Sequence, residues 1–213
     1  MSTIRQTSVR ALCLLALASF LLPINSQAAD ASILKLAVSA LQGKVASQSV
    51  HQIPATGSIE VGFSPNGGAE ALVLKTINAA QVDLKVLAYS FTSVPVTGAL
   101  LRAVKRGVKV TLVVDEKHNL GAGGARPAKS ALSALAIAGA SVWTTSAFAI
   151  HHDKVIVADG THVQLGSFNY SKSAADKNSE NVLVNWNNPE LARVYQEHFQ
   201  RNLQSADKFT PDY

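Results

Sequence analysis

The residues in this sequence best suited to chemistry lie between positions 152 and 169. His152 and Lys154 are separated by one residue, ahead of an apolar run that ends at Asp159. Alternate residues of a β-strand project from one face, so the imidazole and the ammonium are predicted to point into the same site. An ammonium binds a phosphate anion, and a neutral imidazole can attack phosphorus as a nucleophile. The pair therefore predicts a site for a phosphate ester.

A second group of polar residues follows the turn that Asp159 opens. The strand after this turn would run back beside His152 and bring Gly166, Ser167 and Asn169 next to it. A glycine allows the backbone to approach closely. Hydroxyl and amide side chains can donate hydrogen bonds to phosphate oxygens. The hairpin is thus predicted to form two walls of one anion site.

This arrangement resembles the phospholipase D superfamily, whose motif is His-x-Lys, four residues, Asp, six residues, and then Gly-Ser-x-Asn. Segments 88–92, 106–110 and 178–181 are similar to segments of the small single-motif bacterial periplasmic endonucleases of that superfamily. The similarity extends over about residues 57–204. It implies a phospholipase D-like fold and hydrolysis of phosphodiester bonds without a cofactor or metal ion.

The resemblance also implies roles for individual residues. His152 would be the nucleophile that forms a phosphohistidine, while Lys154 and Asn169 would hold the phosphate with assistance from Ser167. Asp159 would have a structural, orienting role. Glu180 matches the acidic residue that hydrogen-bonds the nucleophilic imidazole and fixes its tautomer. The predicted site therefore comprises His152, Lys154, Asp159, Gly166, Ser167, Asn169 and Glu180.

The chemistry needs a second imidazole to protonate the leaving oxygen, but the sequence contains one His-x-Lys motif. Small members of the family solve this by dimerising with the active site on the two-fold axis. The resemblance therefore implies a homodimer in which one His152 is the nucleophile and the other is the general acid.

Several neighbouring residues have simpler interpretations. Strand alternation predicts that His151 faces away from the site. The group Asp115, Glu116 and His118 follows a strand but lacks the spacing of a metal-ligand set, so these are predicted to be loop residues. Tyr89, Phe91 and Trp143 are expected in the core, whereas Phe168, within the motif, could line the site.

The elements that would position the motif alternate between strands and helices. Strands are predicted at 59–63, 84–89, 108–114, 141–144 and 181–186, with two more flanking the turn at 159–160. Helices are predicted at 69–80, around 96–104, through Ala136 and at 189–203, and the glycine-containing stretch 119–127 is predicted to be a flexible loop. This order predicts an α/β fold with a layered, mixed β-sheet flanked by helices.

The first thirty residues predict export. Arg5 and Arg10 precede an apolar run of about 12 residues, and small residues follow, as in a signal peptide spanning 1–29. We expect a leading helix and connector at 30–56, the catalytic domain at 57–205 and a tail at 206–213. The one Cys lies in the signal peptide. Removal of the signal peptide would lower the net charge from +5 by two, to +3. The predicted location is the periplasm or the exterior, and the mature protein would not be an integral membrane protein.

The motif predicts the reaction but leaves the substrate open. A short exported chain with segments similar to the small nucleases favours cleavage of DNA or RNA. Phospholipid head groups are the alternative, although a lipase is expected to show an apolar rim or interfacial helix, for which 30–42 is a weak candidate. A non-catalytic nucleic-acid-binding module is a third possibility, against which the intact motif argues.

Overall fold

Eight strands form one sheet in the part of the chain that the computed structural model describes, residues 50–121 and 126–211. The strands are β1 (Ser58–Ser64), β2 (Asp83–Ala88), β3 (Lys109–Asp115), β4 (Ser141–Thr145), β5 (Lys154–Ala158), β6 (His162–Gly166), β7 (Glu180–Trp186) and β8 (Asp207–Lys208). The helices are α1 (Gly68–Ala79), α2 (Val94–Lys105), α3 (Glu116–Leu120), α4 (Arg126–Ile137), α5 (Lys172–Asp176) and α6 (Pro189–Gln204). None of these helices is long and apolar enough to cross a membrane.

The strand order is β1-β7-β6-β5-β2-β3-β4-β8. Strands β2, β3 and β4 are parallel, and the other neighbouring pairs are antiparallel. The predicted mixed sheet is thus confirmed, including the hairpin β5–β6 at the turn after Ala158. Helices connect the parallel strands because a parallel crossover needs a long connection.

Helices cover both faces of the sheet. On one face, α1, α2, α4 and α5 pack on a large core that includes Val86, Leu112 and Ile156. On the opposite face, α6 packs through Ala192 and Phe199 on a smaller core. The central strands therefore consist of continuous apolar runs, since both of their faces are buried. The layered α/β architecture follows from these two cores.

Two boundaries differ from the sequence predictions. The stretch 119–127 begins inside α3 and ends inside α4, because Asp115 caps α3 and Pro127 fits the first turn of α4. Residues 207 and 208 of the predicted tail form β8 against β4. The predicted signal peptide and leading helix lie outside the described residues.

Candidate active site

Four strand ends meet at one edge of the sheet and bring the motif together. Ala88, the last residue of β2, pairs with Lys154, the first residue of β5. Gly166 ends β6 and pairs with Val182, while Glu180 begins β7. This is the edge at which the parallel strands β2, β3 and β4 have their carboxyl ends, where α/β folds commonly bind ligands.

The side chains of His152 and Lys154 converge on one aromatic ring. The His152 ring centre lies 4.9 Å from that of Tyr89, and Lys154 Nζ lies 5.4 Å from the same Tyr89 centre. His152 is exposed, whereas Lys154 is only 6% exposed. The structure therefore brings the predicted imidazole and ammonium together, with the imidazole accessible for attack on a substrate.

Lys154 is held as a desolvated cation. Its Nζ donates a hydrogen bond to the carbonyl oxygen of His152 at 2.7 Å. Burial lowers the Lys154 pKa, and the nearby charges of Asp153 and Glu180 partly oppose this shift. An ammonium that has lost hydration in this way interacts more strongly with an anion than an exposed lysine does.

Gly166 ends β6, the strand that pairs with β5, and Ser167 follows it. A Cβ on Gly166 would lie 2.2 Å from the carbonyl oxygen of Asn181, and its φ of 152° is unfavourable for other residues. Ser167 Oγ donates to Glu180 Oε2 at 2.6 Å and accepts from the Asn181 backbone N–H at 3.1 Å. Because a hydroxyl has one proton, Ser167 orients Glu180 in this structure instead of presenting that proton to a ligand.

Glu180 is oriented by neighbours in its own chain. Besides Ser167, the Asn178 amide donates to Glu180 Oε1 at 2.9 Å. Within the described residues these are the side-chain hydrogen bonds of Glu180, and neither involves His152. The predicted bond between Glu180 and the nucleophilic imidazole stays a prediction.

The Asn169 side chain has an unpaired oxygen atom near the site. Its Oδ1 is buried and has no hydrogen-bond partner among the described residues. The residue lines a groove of 370 Å³ that also reaches Tyr89 and His118. A buried polar atom without a partner is costly, and this oxygen is an acceptor, so a donor group of a ligand would satisfy it and a phosphate oxygen would not.

Asp159 lies at the other end of β5, about 17 Å of strand away from Lys154. Its carboxylate accepts backbone hydrogen bonds from Gln81, Val82 and Asp83 at 2.8–3.0 Å. Burial raises the Asp159 pKa, but these three donors outweigh burial and hold the pKa below its ordinary value. Asp159 is therefore separate from the reactive cluster and anchors the hairpin to the start of β2.

His151 is 2% exposed and belongs to a different cluster from His152. Its backbone N–H donates to Asp115 Oδ2 at 2.8 Å, and its ring lies 3.8 Å from Asp153 Oδ2. The same Asp153 oxygen lies 2.9 Å from His198 Nε2 on α6. Burial lowers the His151 pKa despite the two nearby carboxylates. This cluster ties the motif segment to β3 and α6.

Two aromatic residues near the site have other positions than expected. Tyr89 is half-buried and contacts His152, so the prediction of a core residue is wrong for it, although Phe91 is fully buried. Phe168 is fully buried in the larger core and does not line the site. Tyr89 lies at the end of a segment that was predicted to be a strand. Its contact with His152 depends on the pairing of β2 with β5, which the local sequence does not reveal.

The prediction that Asp115, Glu116 and His118 are loop residues is wrong, because Asp115 ends β3 and the other two lie in α3. Asp115 Oδ1 accepts from the His118 backbone N–H at 2.7 Å and caps α3. His118 is exposed, and its ring lies 4.1 Å from that of Tyr89. Among the described residues, no three His, Cys, Asp or Glu side chains are grouped to hold a metal ion.

Comparison with known proteins identifies the family. A family model described as "Cardiolipin synthase, PLD-like domain" matches residues 73–203, more than half of the chain. The chain belongs to the phospholipase D superfamily. This confirms the family and the fold class that the His-x-Lys motif and the order of strands and helices predicted.

One solved structure is similar over nearly its whole length. It is a phospholipase D family member, Nuc from Salmonella typhimurium, with 42% sequence identity and a TM-score of 0.69. The similarity covers 71% of this chain and 97% of Nuc.

Two relatives of known description carry lipid-related names. The mitochondrial cardiolipin hydrolase of Danio rerio is 32% identical over 136 residues, which are 63% of this chain and 57% of that protein. A phospholipase D of Rickettsia felis is 33% identical over 133 residues, 62% of this chain and 63% of that protein. This chain thus aligns with less than two thirds of the length of either relative.

Proposed function

We propose that this protein is a phosphodiesterase that cleaves DNA or RNA non-specifically through a phosphohistidine at His152. The observation that carries the proposal is the convergence of an exposed imidazole and a desolvated ammonium on Tyr89, whose ring lines a groove together with Asn169. Lys154 and Asn169 would bind the phosphate oxygens and stabilise the negative charge of the transition state.

The reaction would proceed in two displacements at phosphorus. In the first, a ring nitrogen of His152 forms a bond to phosphorus, the bond to one ester oxygen breaks, and a general acid protonates that oxygen. In the second, the same acid, now deprotonated, accepts a proton from water as the water attacks phosphorus. The phosphorus–nitrogen bond then breaks, which frees His152 and releases a phosphomonoester.

The general acid in this proposal is His152 of a second copy, which requires a homodimer. Support comes from an exposed apolar stripe on the edge strand β1. Ile59, Val61 and Phe63 alternate along β1, and each is more than half exposed. Phe63 pairs with Asn181, next to Glu180, so the stripe runs to the active-site end of the sheet. A second copy on this face would lie beside the site, where its imidazole and its Glu180 could act on this one.

The proposed mechanism needs no metal ion or cofactor. Lys154 supplies positive charge and Asn169 a hydrogen bond, and both would be doubled by the symmetry mates in a dimer. We therefore expect activity to persist in EDTA.

Phospholipid is the second candidate substrate, and one observation favours it. Phe148 and Ile150 are about half exposed, immediately before the motif, and form an apolar segment next to the site. Two of the relatives above are also named for lipid substrates. We favour nucleic acid because most residues that line the groove of 370 Å³ beside Asn169 have hydroxyl or amide side chains, which can bond to sugars and bases but not to acyl chains.

A substrate panel tests the proposal. Purified protein is incubated with plasmid DNA, RNA and vesicles of phosphatidylcholine or cardiolipin, each with and without EDTA. We expect cleavage of nucleic acid in EDTA, loss of cleavage in His152→Ala, and unchanged cleavage in His51→Ala, which removes another exposed histidine. Head-group release from vesicles without nucleic-acid cleavage would favour the lipase. Loss of all activity in EDTA would contradict the metal-independent mechanism.

The intermediate has its own test. With a substrate labelled at the scissile phosphorus, rapid denaturation should trap label on wild-type protein in an acid-labile, alkali-stable form, as expected for phosphohistidine. The label should be absent from His152→Ala. Label retained by that variant would assign the nucleophile to another residue.

The dimer is tested by placing a charge in the β1 stripe. Val61→Lys should yield a monomer in light scattering and lose activity, whereas Val82→Lys, at an exposed valine near Asp159, should change neither property. A Val61→Lys monomer with full activity would contradict the shared site.

Export is the remaining part of the proposal, and the mass of the mature protein recovered outside the cytoplasm would reveal cleavage near residue 29.

A further inference from the structure

A second imidazole stands next to the proposed nucleophile within the same chain, and the mechanism above does not use it. The exposed His118 ring lies 4.1 Å from the Tyr89 ring, with an angle of 32° between the planes. Tyr89 is in turn 4.9 Å from His152. The His118 ring centre is therefore no farther from that of His152 than the sum of these distances, 9.0 Å.

The Tyr89–His118 pair is held firmly by the backbone. The Tyr89 N–H donates to the Asp153 carbonyl at 3.0 Å, and the Tyr89 carbonyl accepts from Asn119 Nδ2 at 2.7 Å. Asn119 is 1% exposed and also accepts from the Phe91 N–H through Oδ1. Because Asn119 follows His118 in α3, the same residue fixes both members of the pair. The backbone segments that carry the two rings are thus joined to each other without a ligand.

Two grooves meet at this pair of rings. One, of 460 Å³, is lined by Tyr89 and His118 together with Asp115, Lys117 and Ile150. The other, of 370 Å³, is lined by the same two rings and by small polar side chains, which are Ser90, Thr92, Asn169, Ser171, Ser173 and Asn178. The rings therefore lie between a partly apolar groove that contains one cation and one carboxylate and a groove lined mostly by residues with neutral polar side chains.

The chemical character of the two rings and the adjacent grooves distinguishes between possible ligands. A flat aromatic group can stack on an exposed ring that is itself supported by another ring, and every nucleobase has such a face. An acyl chain gains little from a flat platform. If an acyl chain covered the polar groove, the hydroxyl and amide groups there would lose their hydrogen bonds to water. Sugar hydroxyls and base edges can replace those hydrogen bonds.

We propose that Tyr89 and His118 form a base-stacking platform that binds the nucleobase next to the scissile phosphate. The proposal rests on the nuclease function proposed above and adds a substrate-binding residue, His118, to it. A base is joined to its phosphate through one sugar ring, so a phosphate at His152 and Lys154 leaves the adjacent base within reach of His118. Stacking on the platform requires that base to be separated from its neighbours in the strand.

The first test uses synthetic single-stranded oligonucleotides in which one internal nucleotide lacks its base. Stacking of a base on an aromatic side chain contributes about 1–3 kcal/mol, so we expect cleavage at the abasic position to be about 10-fold or more slower than at the same position of the intact strand. The backbone and charge of the two substrates are the same, so the comparison isolates the base. Equal cleavage at both positions would overturn the platform.

The second test changes the ring. His118→Leu should lower kcat/KM for the intact oligonucleotide to that for the abasic one, with little change on the abasic substrate. His118→Phe preserves a stacking ring and should retain the preference for the intact strand. Both substitutions are at an exposed position, and thermal unfolding of each variant checks the fold.

The His118→Phe variant also distinguishes stacking from proton transfer. If His118 were the general acid in place of the second copy's His152, the phenylalanine variant would lose activity on both oligonucleotides and one limb of the pH–rate profile. That result would overturn the platform. A wild-type protein that hydrolyses vesicles but no oligonucleotide would instead refute the proposed nuclease function itself, so the two failures are separable.

Discussion

The two ends of the β5–β6 hairpin use polar residues in opposite ways. At the open end, Lys154 is desolvated with one hydrogen bond, Asn169 has a buried oxygen without a partner among the described residues, and His152 is exposed. At the turn, the Asp159 carboxylate accepts three backbone hydrogen bonds. Unsatisfied groups are suited to bind a ligand, and satisfied groups stabilise the fold.

This comparison divides a single sequence motif into two functions. The residues of His-x-Lys and Gly-Ser-x-Asn supply the candidate chemistry, while the aspartate between them anchors the hairpin. Substitutions at the two ends should therefore separate activity from stability.

The largest effect should come from Lys154→Met, which removes the cation but keeps a side chain of similar length. We expect a loss of about 10²–10³-fold in turnover on a nucleic-acid substrate, as is typical for one group that stabilises transition-state charge. The free energy of unfolding should change by less than about 1 kcal/mol, because a poorly hydrated charge is replaced by an apolar group. Steady-state kinetics and denaturant unfolding measure the two quantities. A large loss of stability with little loss of activity would reverse the assignment of this end.

Gly166→Ala should affect both properties, because Gly166 lies at the open end but forms part of the sheet. The new Cβ would collide with the Asn181 carbonyl, so we expect a loss of about 1–3 kcal/mol in unfolding free energy and reduced turnover through displaced Ser167 and Asn169. Gly107→Ala is the matched control, since Gly107 has a φ of +89° but no atom within 4 Å of the added Cβ. Gly107→Ala should cost about 1 kcal/mol and leave turnover unchanged.

Asp159→Asn should mainly reduce stability. Asparagine tolerates the Asp159 φ of 54° and retains one acceptor oxygen, but it loses the charge that the three N–H donors stabilise. We expect a loss of about 1–2 kcal/mol in unfolding free energy, with turnover of the folded protein within about twofold of wild type. Asp207→Asn, at an exposed aspartate in β8, should leave stability unchanged. If Asp159→Asn abolished turnover without affecting stability, the division between the two ends would be wrong.

The smallest effect is the pH dependence of that stability difference. The folded-state pKa of Asp159 is lowered, so the carboxylate stabilises the fold at pH values above its unfolded pKa of about 3.9. The difference between wild type and Asp159→Asn should be constant above about pH 5 and should shrink as the pH falls through the folded pKa. Denaturant unfolding at several pH values measures it. A difference that does not change with pH would mean that the charge of Asp159 is not what the hydrogen bonds stabilise.

The sequence predicted the parts of the structure that local patterns determine. The strands, the longer helices and the hairpin follow from apolar periodicity and turn residues. The position of Lys154, Gly166 and Ser167 at the same end of the hairpin follows from the pairing of β5 with β6.

The remaining features depend on contacts between distant segments. Tyr89 and His118 are 29 positions apart in the chain, and their stacking requires the pairing of β2 with β3 and the cap that begins α3. Phe168 faces the core because Gly166 and Ser167 bend the chain at the end of β6. A five-residue helix such as α3 is too short to produce a periodic signal.

The fixation of β2 at both ends has a consequence for the register of the sheet. Asp159 binds backbone N–H groups at the start of β2, and the Asp153 carbonyl binds the N–H of Tyr89 directly after its end. A slip of β2 by one residue would turn Tyr89 to the opposite face of the sheet, and a slip by two would move it about 7 Å. Either shift would break hydrogen bonds at both ends together. These hydrogen bonds thus fix the register of β2 at both of its ends and hold Tyr89 beside His152.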